Sequence, residues 1–202
     1  MKSHRHKYRW VCVFAALLLG APYIAAETQS TEPGRRPSTN IVILLVDDLG
    51  WGDVGYHNPE AATPNIDNIA ARGVEFDRFY VNPTCSPTRA SLLTGQFSTT
   101  HGVNGPIQWH SDEGLPLEWQ TLPGYLKRAG YQTHLVGKWH LGAASTAYWP
   151  QHRGFDSFYG HLNGGIGYFD HVFSGGIDWQ KGGVTIREKG YTTQLIKRAA
   201  VD

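Results

Sequence analysis

The chain has 202 residues, 41% of them hydrophobic and 17% charged, and a net charge of +1. This is ordinary globular composition, and it excludes both a basic field for holding nucleic acid and an acidic, solvating tail. The 24 glycines, 7 tryptophans and 10 tyrosines point to a loop-rich protein with aromatic-lined surfaces.

Residues 1–26 read as a secretory signal peptide. Lys2, Arg5, Lys7 and Arg9 make a basic start, Val11 to Gly20 is apolar, and Ile24-Ala25-Ala26 offers small residues for cleavage before Glu27. The apolar stretch is shorter than the roughly 20 residues that span a bilayer, so the expectation is export, to the periplasm or outside the cell, with no stable membrane span. Cleavage removes Cys12 and leaves Cys85 as a lone thiol in a compartment that permits disulfides, which calls for an explanation.

Residues 27–39, rich in Pro, Ser, Thr and Arg, read as a flexible lead-in. Asn40 to Val46 is almost wholly aliphatic, as expected of a strand covered on both faces, and it ends in Asp47-Asp48-Leu49-Gly50. Thr63-Pro64 supplies a cap and a first-turn proline for a helix through Ile66, Ile69 and Ala70, closed by Gly73. Val74 to Val81 reads as a second strand. A helix over 87–93 follows, stopped by Gly95, and another over 121–129, closed by Gly130. A short strand over 132–136 ends at Gly137-Lys138. Beyond Trp149 no period is evident until a helix over 192–200. Alternating strands and helices predict an α/β sheet.

Three polar clusters stand where predicted strands end, the usual position of ligand sites in open α/β sheets. Asp47 and Asp48 repel each other, and their all-oxygen side chains suit a hard cation; a helix-capping or solvated turn is the commoner reading of a lone pair, but the preceding apolar run leaves this one at a sheet end. Cys85 precedes a first-turn proline, so a helix start, which favours anions, lies beside it; Arg89 stands one turn on with a planar donor fork. A buried structural cysteine is the plain alternative. Lys138 and His140, two apart, share a face if the strand runs through them, and pair a cation with a titratable imidazole; surface polarity is the plain alternative. His57, His101, His110, His134, His152, His161 and His171 show no zinc-like spacing and read as structural or exposed. Gly164, Gly165 and Gly167 follow no clear strand, which makes a nucleotide loop a weak reading. Trp109, Trp119 and Tyr168 either line a carbohydrate cleft or pack.

Several of these blocks resemble one family. Cys85-Ser86-Pro87-Thr88-Arg89-Ala90-Ser91-Leu92-Leu93-Thr94-Gly95 is similar to the signature of the sulfatases, and Gly137-Lys138-Trp139-His140-Leu141-Gly142 to their second signature. Asn40 to Gly52 resembles the family's opening metal-binding strand, and Arg153-Gly154-Phe155-Asp156 resembles the arylsulfatase B-like branch. The resemblance implies an alkaline-phosphatase-like α/β sandwich with a mostly parallel central sheet, incomplete at the C-terminus, residues 40–202 being the N-terminal part of the catalytic domain. It implies a sulfuric ester hydrolase acting on aryl sulfates or sulfated sugars. Cys85, in a Cys-x-Pro-x-Arg pattern, would be oxidised by a formylglycine-generating or equivalent maturation enzyme to formylglycine, whose hydrate attacks sulfur. Asp47, Asp48 and the modified Cys85 would hold one divalent cation, Ca²⁺ by similarity. Arg89 would steady the diol, Lys138 would bind a sulfate oxygen, and His140 would take the second hydroxyl's proton. The family's later Asp-Asn ligands, second His and final Lys would fall beyond residue 202, which predicts a truncated and inactive form. The alternatives are a phosphonate monoester or phosphodiester hydrolase of the same superfamily, and a non-catalytic glycan-binding remnant.

Overall fold

The computed structural model describes residues 39–202; the expected signal peptide and nearly all of the expected lead-in lie outside the described residues. Among the described residues there are five α-helices: α1 (Pro64–Arg72), α2 (Cys85–Thr94), α3 (Ser98–His101), α4 (Leu122–Arg128) and α5 (Thr192–Val201). The same residues form six strands: β1 (His134–Lys138), β2 (Ser157–His161), β3 (Val172–Phe173), β4 (Gly176–Ile177), β5 (Gln180–Lys181) and β6 (Val184–Thr185).

The helix ends follow from local chemistry. The Thr63 hydroxyl donates to Asp67 at 2.8 Å and accepts from the Gly55 amide at 2.7 Å, fixing the start of α1 behind its first-turn proline. Gly95, at φ +68°, closes α2 in the left-handed conformation and donates to the Ser91 carbonyl at 2.8 Å. The start of α2 differs from the sequence expectation: Cys85 is its first residue, with Thr84 in the N-cap position, and Pro87 occupies the first turn, where its missing N–H costs nothing.

Strands β1, β2, β5 and β6 form one mixed sheet in that order, with β1 and β2 parallel and the other two pairings antiparallel; β3 and β4 make a separate hairpin. Strand β2 was not anticipated. Its partner register places Gly137 against Gly160, and a Cβ on Gly160 would lie 2.0 Å from the Gly137 carbonyl oxygen. The two backbones therefore meet across a position that admits no side chain.

The expected strands over 40–46 and 74–81 form no ladder among the described residues, and they are exposed: Val42 is 88% exposed and Tyr80 87%. An apolar run carries strand propensity, but a strand exists only when a neighbour takes its N–H and C=O groups. No described strand lies against either segment. The buried core is elsewhere, in Ala90, Val103, Leu115, Trp139, Leu141, Phe158 and Leu162. It takes Ala90 from α2, Phe158 from β2, and the rest from the connecting segments, Trp139 and Leu141 directly after β1 and Leu162 directly after β2. No described helix is long and apolar enough to cross a membrane.

Candidate active site

Trp139 and Leu141 are both buried in that core, so the residue between them is driven to the opposite side. His140 takes φ +56°, a conformation L residues rarely adopt, and is held there by its amide donating to the Leu162 carbonyl at 2.9 Å while the Trp139 amide donates to His161 at 2.9 Å. The strand thus ends at Lys138, and it is this backbone turn rather than a continuing two-residue period that aims the imidazole.

The imidazole meets the start of α2. His140 Nδ1 lies 3.1 Å from Cys85 Sγ, and Nε2 lies 3.0 Å from the Ile107 carbonyl oxygen. A carbonyl only accepts, so Nε2 carries the hydrogen and Nδ1 turns its lone pair toward position 85; this tautomer is assigned from the partners. Burial first, then the charge of Lys138, push His140 below its ordinary pKa, which keeps the ring neutral and basic at Nδ1. Ser86, fully buried, ties the pieces together: its hydroxyl donates to the His140 carbonyl at 2.8 Å and accepts from the Ile107 amide at 3.1 Å.

Beside this pair stands a charged triad. Lys138 Nζ and Arg89 Nη2 both donate to Asp47 Oδ2, at 2.6 and 3.1 Å, and Arg89 Nη1 donates to the Lys138 carbonyl at 2.6 Å. Burial would raise the Asp47 carboxyl, but Lys138 and then Arg89 outweigh it and hold it below its ordinary pKa. The Arg89 and Lys138 side chains are 12% and 14% exposed, so two cations are held at low exposure next to a helix N-terminus. That arrangement suits an anion.

The structure brings Asp47, Cys85, Arg89, Lys138 and His140 together. It leaves Asp48 exposed at φ +55°, with no hydrogen bond from its side chain among the described residues. A calcium ion takes about six to eight oxygen ligands. The described residues contain no grouping of three or more His, Cys, Asp or Glu side chains that could hold a metal, and Asp47 is already engaged by two cations. By themselves they fall short of a cation site.

Three contributors escaped the sequence reading. Ser86 and the Ile107 carbonyl act through contacts 54 and 33 residues distant from their own positions. Gly164 lies against the flat of the imidazole: a Cβ there would sit 2.6 Å from His140 Cε1 and 2.8 Å from Nε2. The turn carrying it is pinned by buried Asp178, whose carboxylate accepts from the Leu162 amide at 3.0 Å and the Asn163 amide at 2.7 Å. Gly164, Gly165 and Gly167 do follow a strand, β2, but lead to the β3–β4 hairpin and not to a helix, so the nucleotide-loop reading fails.

Most of the remaining histidines are tied into local structure. His57 stacks on Trp51 at 3.9 Å, His101 accepts from the Val103 amide, His134 meets Ser157, and His171 stacks on Trp179 at 4.8 Å. Arg153 is a buried staple, donating to the carbonyls of Pro116, Leu117 and Trp119.

Comparison with known proteins gives a consistent answer. A family model described as Sulfatase matches residues 39–200. N-acetylgalactosamine-6-sulfatase of Rattus norvegicus is 43% identical over 185 residues, covering 81% of this chain and 35% of the relative. Arylsulfatase J of Mus musculus is 43% identical over 133 residues, covering 65% of this chain and 22% of the relative. The chain thus spans between about a fifth and a third of the length of these relatives. Among solved structures, Ps i-CgsB in complex with k-i-k-neocarrahexaose is similar at a TM-score of 0.71 and 32% identity, covering 77% of this chain and 38% of that one. PsFucS1 sulfatase from Pseudoalteromonas sp. is similar at a TM-score of 0.56 and 36% identity, covering 68% and 28%.

Proposed function

Because the chain belongs to the sulfatase family, with the α/β, alkaline-phosphatase-like fold of its structural neighbours, we propose that it forms part of an enzyme that hydrolyses sulfate esters, with the nucleophile at position 85. The observation that carries this reading is the neutral imidazole whose Nδ1 faces Cys85 Sγ at 3.1 Å, beside two cations.

The thiol at position 85 occupies the place of the reacting oxygen atoms. Formylglycine formed there by a maturation enzyme would supply, as its hydrate, an oxygen nucleophile and a second hydroxyl on the same carbon. Lys138 and Arg89, with the first amides of α2, bind and orient the sulfate group and offset the negative charge that builds on its oxygens. His140 Nδ1 takes a proton from the group at position 85, and the bond from Nε2 to the Ile107 carbonyl steadies the imidazolium that results. Asp47 sets the positions of Lys138 and Arg89 through the two bonds to its Oδ2. Asp47, Asp48 and the modified Cys85 are the ligands this chain would contribute to a divalent cation, whose chemistry when bound is to favour the ionised nucleophile; the residues at hand do not complete its shell.

A sulfated glycan is the favoured substrate class, since relatives bear the name N-acetylgalactosamine-6-sulfatase and a similar structure holds a neocarrahexaose. Export through the N-terminal segment belongs to the same proposal. The test compares 4-nitrophenyl sulfate with bis(4-nitrophenyl) phosphate, using the full-length enzyme of which this chain forms part, produced alongside a formylglycine-generating enzyme. Sulfate hydrolysis that C85A and K138A abolish supports the reading. Preference for the phosphodiester, or activity that survives C85A, overturns it.

A further inference from the structure

The aromatic residues that the sequence left undecided separate in the structure. Trp119 packs against the core, and Tyr168 lies against Tyr191 with ring centroids 5.5 Å apart. Trp109 does neither. It is 55% exposed, touches His110 edge-on at 5.4 Å, and forms a wall of a cleft of about 180 Å³. Ile107, Gln108, Phe173, Gly164 and the His140 imidazole line the remainder.

Resting on the sulfatase reading, we propose that this cleft binds the alcohol side of the ester, that its occupant is a single uncharged pyranose ring, and that Trp109 is the residue that selects it. Position comes first. One wall of the cleft is the imidazole whose Nδ1 meets position 85, so an occupant is held within a ring's width of the reacting group. Size comes second. Clefts for larger ligands run to roughly 300–1,000 Å³; one ring fits this cleft, and the rest of a longer glycan extends into solvent.

Chemistry comes third. Among the described residues no Asp, Glu, Lys or Arg lines the cleft, so no fixed charge there would pair with a uronate or a second sulfate. Trp109 and Phe173 present apolar faces to the C–H side of a pyranose, and a half-exposed indole is covered when the ring arrives. Gln108 donates through Nε2 to the Pro106 carbonyl at 3.2 Å, which fixes its amide and leaves Oε1 to accept from a sugar hydroxyl. Gly164 keeps the floor open, because a side chain there would displace the imidazole.

Binding tests this without requiring turnover. The ¹⁵N-labelled chain is titrated with glucose 6-sulfate and, separately, with inorganic sulfate, while the tryptophan indole signals are followed; W109F identifies the Trp109 signal. The expected result is a Trp109 shift with glucose 6-sulfate. W109A should weaken glucose 6-sulfate about tenfold or more while changing inorganic sulfate by less than about twofold, and W109F should recover most of the loss. An equal effect on both ligands, an effect on neither, or no binding of glucose 6-sulfate overturns the proposal. Failure of K138A to weaken inorganic sulfate counts separately against the sulfatase reading.

Discussion

At the scale of single residues, the site depends on where one imidazole points. His140 is held by a strained backbone, by the Ile107 carbonyl and by the bare backbone of Gly164 beneath it. Gly164 has an ordinary φ, so alanine there is strained only by contact with the ring. We expect G164A to lower kcat on an aryl sulfate about a hundredfold, with KM little changed, because displacement by about 1 Å misaligns proton transfer while Lys138 and Arg89 still bind the anion. Steady-state kinetics check this; unaltered kcat would show that the ring tolerates the shift. The coming together of Asp47, Cys85, Arg89, Lys138 and His140 was legible because each sits beside a local signal, an expected strand end or a first-turn proline. Gly164 and Ser86 were not, since their meaning lies wholly in long-range contact.

At the scale of elements, the sheet and α4 are joined by an acidic residue from the family-like block. The Asp156 carboxylate accepts from the Thr133 amide at 2.9 Å and from Lys127 Nζ at 2.6 Å. The Lys127 bond, then the Thr133 amide, bring its pKa down to about 2 from 3.8. A carboxyl lowered on folding stabilises the protein above its unfolded pKa and loses that contribution as pH falls toward the folded one. The side chain is about a third exposed and the ion pair screened, so the expected cost of D156A at pH 7 is modest, about 1 kcal/mol. Urea denaturation measures it, and the gap from the parent should close as pH falls from 3.8 toward 2. Helix boundaries were legible to within a residue or two at Thr63, Gly95 and Thr121, where caps are written locally. Strand β2 was not, because Ser157–His161 is short and owes its pairing to the Gly137–Gly160 approach.

At the scale of the whole molecule, two segments expected as buried strands are exposed, so the expected pattern and the observed core part company. Asn40–Val46 and Val74–Val81 announced strands, yet the core formed around Trp139 and Phe158, where partners are present. Global stability should also carry the mark of a buried histidine. Burial, only partly opposed by Asp178, lowers His161 to about 4. The unfolded chain then takes a proton between pH 6.5 and 4 that the folded chain refuses, so stability falls as pH drops through that window, by at most about 1.4 kcal/mol per pH unit for this one group. H161Q should reduce the slope of the urea midpoint against pH by up to one proton; an unchanged slope would show that His161 titrates normally. The proposed chemistry depends throughout on the group at position 85. Peptide mass analysis of that residue, in protein made with a formylglycine-generating enzyme and active on sulfate esters, tests it most directly. Formylglycine in place of Cys85 is the expected result; an intact thiol in that active protein would overturn the assignment of the nucleophile.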